Sequence, residues 1–174
     1  MFFPSDRIGP CPIRFCHFGH PAGGVILFTA GNQMYNVVNI DYSDAKQALE
    51  LIIDKAQQMQ KVVAVAVTDS HGELIAFARM DEVPLPSIMI AMNKACTAAR
   101  TGKPTQEIGD KVKHPEKGHD ISYYGDSRFV GWGGGIPVTI NGKIAGGIGV
   151  SGLSSAEDTA LANLGAELIA RSSG

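Results

Sequence analysis

Aromatic residues make up only 7% of this chain, cysteine occurs three times in 174 residues, and neither sign of charge dominates. Each shortage excludes something. An odd, sparse set of cysteines (Cys11, Cys16 and Cys96) gives no disulfide framework. Fifteen Lys and Arg against seventeen Asp and Glu leave a net charge of -2 and no basic block. Nucleic acid and anionic membrane are therefore not expected as partners. No apolar run approaches the ~20 residues of a membrane-spanning helix, and the first residues lack a charged region followed by a long apolar one. A cytoplasmic protein is the expectation.

Glycine, by contrast, is abundant: 21 residues, concentrated in the last third. Gly133-Gly134-Gly135-Ile-Pro137-Val-Thr-Ile-Asn141-Gly142-Lys-Ile-Ala-Gly-Gly-Ile-Gly149-Val-Ser151-Gly152 reads as strand, two-residue turn, strand, then entry to a helix. Asn-Gly between apolar runs is a strong hairpin signal. Glycines this dense in strands leave a bare patch that a second backbone or a flat ligand can approach.

Residues 1–40 are rich in Gly and Pro, weakly periodic, and read as an irregular arm with a short strand near Val25–Thr29. Cys11, Cys16, His17 and His20 lie in this arm without the spacing of a structural zinc site, so no metal is expected. From 41 to 174 the pattern is regular. Ala45, Ala48, Leu49, Ile52, Ala56 and Met59 share one stripe, predicting a helix over Ser43–Gln60 capped by Asp41 or Ser43. Val62–Val67 and Leu74–Ala78 flank a turn at Asp69–Gly72 and form a hairpin. Helices follow at Ser87–Thr101 and Thr105–Lys113, then a polar loop at 114–128, then the glycine hairpin. Ser154 and Glu157 form a capping box for a last helix over Ala156–Arg171. Paired strands separated by helices predict an α+β domain with an antiparallel sheet.

Three blocks carry a resemblance: Asp69-x-x-Gly72-x-Leu74 to Arg79-Met80-Asp81; Ser87-x3-Ala91-x-x-Lys94-Ala95-x-Thr97-Ala98; and Gly134-Gly-Ile-Pro137 through Gly142 and Gly146-x-Ile148-Gly149-Val-Ser-Gly152 to Asp158. Together they resemble the GlcG/HbpS, or haem-degrading-domain, family, which includes the C-terminal domain of PduO-type proteins. The resemblance covers about residues 41–171. It implies a profilin-like three-layer α/β/α fold around a central antiparallel sheet of about five strands, assembled as a homo-oligomer. The family often has Asp-Gly-Ala after Arg-Met, where this chain has Asp81-Glu82-Val83.

The candidate chemistry follows. Arg79 at a strand end suits a two-pronged bond to a carboxylate or haem propionate, or pairing with Asp81 or Glu82. Lys94 is either an amine of lowered pKa, able to act as acid, base or anion ligand, or a lysine snorkelling to solvent. Thr97, one helical turn on, packs, bonds a backbone carbonyl or faces a ligand. Gly134, Gly135, Pro137, Gly149 and Ser151 line the approach to a helix N-terminus, which favours anions, unless the glycines serve packing. Asp158 is a first-turn helix acid or a site residue. His114, His119 and Tyr123 in the polar loop are candidates to reach a ligand, unless the loop histidines are simply solvated; His71 is expected in solvent. Neither a Walker loop nor a Gly-x-Ser-x-Gly elbow is present.

Two functions follow, beside a purely structural reading in which an oligomeric accessory protein uses the glycine patch only to pack subunits. One is small-ligand binding of the GlcG/HbpS type, with haem or a related tetrapyrrole as ligand for capture or degradation. The other is a cofactor-independent lyase or isomerase of a small aromatic or hydroxy-carboxylate compound. In that enzyme Arg79 anchors the carboxylate, and Lys94, His119 or Tyr123 moves protons.

Overall fold

A computed structural model describes residues 37–172. The expected strand at 25–29 and the Cys/His cluster of the arm lie outside the described residues. Helix α1 (Tyr42–Gln58) begins where Asp41 accepts a hydrogen bond from the Asp44 N–H at 2.8 Å. Strands β1 (Ala64–Asp69) and β2 (Leu74–Arg79) form the first hairpin. Helix α2 (Pro86–Thr101) stops at Gly102, whose φ of 64° is the left-handed conformation that glycine adopts freely. Helix α3 (Thr105–Val112) and a 3-10 turn (Ile121–Tyr124) lead to β3 (Gly135–Ile140), β4 (Lys143–Ser151) and α4 (Ser155–Ser172). Asn141 and Gly142 turn the second hairpin with φ of 50° and 74°, both positive as a type I′ turn requires.

The sheet runs β2-β1-β4-β3 and is antiparallel throughout. It has four strands among the described residues rather than about five. The two hairpins account for all four, and the residues just before α1 add one backbone bond, from the Ile40 N–H to the Ala145 carbonyl at 3.1 Å. Alternation along β1 separates the layers. Val63, Val65 and Val67 pack with Ile52, Ile148, Leu161 and Ile169 under α1 and α4, each fully or almost fully buried. Ala64 and Ala66 face α2 with Ala91 and Ala95.

That second face is built of small residues because α2 lies directly on the sheet. A Cβ added at Gly149 would run into the Ala91 carbonyl, and one at Gly147 into the Ala95 carbonyl. The patch that the glycines leave bare is thus covered by the chain's own helix, and Gly149 has no open face for a ligand.

Candidate functional site

The face of α2 that carries Ala91, Ala95 and Ala98 into the protein also carries Lys94, whose side chain is 3% exposed. A buried ammonium needs partners in the interior. Nζ donates to the Val150 carbonyl at 2.8 Å and to Asp158 Oδ2 at 2.8 Å. Asp158 stands in the first turn of α4, which Ser154 and Glu157 cap reciprocally. Its second oxygen accepts the Leu153 N–H at 3.1 Å. The pair therefore ties the end of β4 and the start of α4 to the middle of α2.

Gly134 leaves the room for this pair. Its φ is 112°, and a Cβ there would stand 2.6 Å from Asp158 Cβ and 2.8 Å from Lys94 Nζ. Burial, the largest influence on both groups, pushes Lys94 below the ordinary lysine value and Asp158 above the ordinary carboxylate value; their mutual hydrogen bond opposes each shift. Both groups are thereby drawn toward their neutral forms, the condition of a poised acid/base couple.

A cavity of about 340 Å³ opens beside the pair, lined by Ser87, Ile90, Lys94, Trp132, Ser151 and Asp158 among others. Two of the three N–H groups of Lys94 are committed, which leaves one for a ligand. Trp132, the single tryptophan, is 57% exposed. It is held through its backbone: the buried Thr105 hydroxyl donates to the Trp132 carbonyl at 2.6 Å and accepts the Gly135 N–H at 2.9 Å.

The structure thus gathers Lys94, Asp158, Ser151 and Gly134 at one end of the sheet. Arg79 pairs with Ala64, and Ala64 with Ser151, so the three share one row. Arg79 is nevertheless on the edge strand, exposed, outside the cavity lining, and its guanidinium has no partner among the described residues. Thr97 accepts the Val130 N–H at 3.1 Å and donates to the Arg128 carbonyl at 3.3 Å, so it fastens the loop before β3. Pro137 faces Gly147 across the β3–β4 ladder, and Gly135 lies under Thr105. His119 and Tyr123 are elsewhere: His119 sits 5.7 Å, ring to ring, from Tyr124, and Tyr123 is 79% exposed.

Ser87 opens the second motif block and Ile90 shares a helix face with Lys94, but neither these nor Trp132 and Thr105 are expected as site residues from sequence. Ser87, Ile90 and Lys94 follow the i, i+3, i+7 spacing of one helix face, a signal that was available. Trp132, beside the Gly133–Gly135 run, offered none, because its role depends on where α3 fastens it.

Comparison with known proteins agrees with this fold. The family model described as "Haem degrading protein HbpS-like" matches residues 40–167. An uncharacterized 15.0 kDa protein from the dhaT-dhaS intergenic region of Citrobacter freundii is 33% identical over 131 residues, 75% of this chain and 92% of that protein. The crystal structure of Klebsiella pneumoniae protein ORFY superposes with a TM-score of 0.75 at 29% identity, covering 80% of this chain and 96% of that one. The crystal structure of a PduOC:haem complex superposes with a TM-score of 0.70 at 30% identity, covering 75% of this chain and 95% of that one.

Proposed function

The chain belongs to the haem-degrading HbpS-like family, and from that premise we propose that it is a small-ligand binding protein whose ligand is a haem-class tetrapyrrole. The observation that carries this reading is the Lys94 cavity, with a buried ammonium holding one uncommitted N–H at its floor and an exposed indole at its rim. A propionate edge fits the floor, where Lys94 and the Ser87 and Ser151 hydroxyls supply donors. The macrocycle is wider than a cavity of about 340 Å³, so its face lies outside it, against Trp132. The residues that line the cavity include no His, Cys or Met, and His119 lies outside it beside Tyr124. Recognition is therefore of the acidic edge and the flat face rather than of the iron. The solved PduOC:haem complex, a protein of the same fold, supports the choice of ligand class.

Absorbance titration of haemin into the whole chain tests this reading. A saturable Soret shift near one per chain, weakened by Trp132→Ala and unchanged by His119→Ala, is expected. A shift that vanishes with His119→Ala and survives Trp132→Ala would move the site to the polar loop and contradict the proposal.

One observation favours a second reading, an enzyme. Lys94 and Asp158, both drawn toward neutrality by burial, form a couple able to take and return a proton on a small carboxylate that fits wholly inside the cavity. Lyase or isomerase turnover of a small aromatic or hydroxy acid, with no saturable haemin binding, would favour it.

A further inference from the structure

A second cavity, about 380 Å³, lies at the opposite end of α2, where that helix meets α3 and the 114–131 loop. Tyr124 and Phe129 form one wall, their rings stacked at 4.8 Å and 12°. Arg100, Lys103, Glu107 and Lys111 are its charged lining. Arg100 is spent: its guanidinium donates to the His71 carbonyl at 2.8 Å, to Asp126 at 2.7 Å and to Glu73 at 3.0 Å. Lys103 and Lys111 have no side-chain partner among the described residues, and Glu107 pairs with neither. Two free cations against one free carboxylate leave the cavity one positive charge in excess, within a chain of net charge -2.

We infer that this cavity is a binding site for a planar aromatic monocarboxylate, whose ring packs on the Tyr124–Phe129 wall while its carboxylate lies between Lys103 and Lys111. The three features answer three parts of that ligand: the stacked pair gives a rigid aromatic surface, the lysines give charge-assisted donors, and a single excess charge matches a single acid group. The volume takes a two-ring acid whole, which it could not do for a tetrapyrrole. None of these residues belongs to the Lys94 cavity, so the site is independent of the proposed function.

The probe is 2-naphthoate, titrated into the full chain by calorimetry, with neutral 2-naphthamide as its uncharged counterpart. Saturable 2-naphthoate binding is expected, with a Lys103→Ala/Lys111→Ala variant weaker by about tenfold or more and 2-naphthamide weaker by a similar factor. Glu107→Gln should tighten it. Trp132 lines the Lys94 cavity and an apolar one that shares Phe129 with this site, but does not line this site itself, so Trp132→Ala should weaken binding far less than the double lysine variant. Absence of saturable binding overturns the inference. So does equal affinity for the amide and the acid, or binding that is lost with Trp132→Ala and kept in the double lysine variant.

Discussion

Lys94 Nζ stands 2.8 Å from Asp158 Oδ2 with both side chains 3% exposed, and the two residues are 64 positions apart in the chain. A pair this buried stabilises the fold less than its loss on one side destabilises it. Asp158→Asn should therefore cost ~3–5 kcal/mol in urea unfolding, while Lys94→Met/Asp158→Leu recovers most of that loss. The single variant carries a further signature in pH. Without its carboxylate Lys94 lies further below its unfolded value, so the unfolded chain binds more protons across the interval up to pH ~10.4. The stability of Asp158→Asn should accordingly rise with pH through that interval. A double variant as unstable as the single one would contradict the argument.

The glycines of β4 make a sharper structural prediction. At Gly149 a methyl group meets backbone, the Ala91 carbonyl, which cannot yield without moving α2. Gly149→Ala should cost about 3 kcal/mol or more. At Gly142 nothing stands within 4 Å of the added Cβ, and only the φ of 74° resists, so Gly142→Ala should cost ~1 kcal/mol. Similar melting temperatures for the two variants would show that α2 does not rest on the sheet as described.

The contrast between these glycines also shows what was legible in sequence. Asn141–Gly142, Gly102 and the Ser154–Glu157 box are local devices, and each appears where its neighbours predict it. The density of glycine in β4 announced a close approach, but not whether helix or ligand makes it; that depends on α2, fifty residues earlier. Lys94 alone was compatible with a solvent-reaching side chain, and only the partnership with Asp158, fixed by the sheet register, decides its burial. His119 and Tyr123 carried reactive groups in a polar loop, yet the fold turns them to Tyr124 and to solvent.

Asp126 gives a pH prediction of the same sign in a much lower interval. Its hydrogen bonds from Arg128 hold its carboxyl below the usual range, so its contribution is present above the unfolded value and lost as pH falls through the folded one. The 126–130 segment should thus loosen only below pH ~4, read as faster exchange of the Val130 amide, which Thr97 holds at 3.1 Å. Loosening that begins near neutrality would contradict this.

Glu82 adopts φ of 67°, a left-handed conformation that costs a side-chain-bearing residue ~1 kcal/mol. It occupies the place where the resembled family often has glycine. Glu82→Gly should raise stability by ~0.5 kcal/mol, the relief less the added freedom of the unfolded chain. A lowered melting temperature would mean that the glutamate side chain itself contributes.

A tetrapyrrole bound as proposed sets its acid edge in the Lys94 cavity and its flat face on the indole. Trp132, the one tryptophan, lines that cavity and reports on it directly. The decisive measurement is quenching of its fluorescence by haemin and, separately, by iron-free protoporphyrin IX. Saturable quenching by both, with dissociation constants within about threefold of each other (~0.7 kcal/mol), is the result predicted. Quenching by haemin alone would place the recognition at the iron and contradict the account.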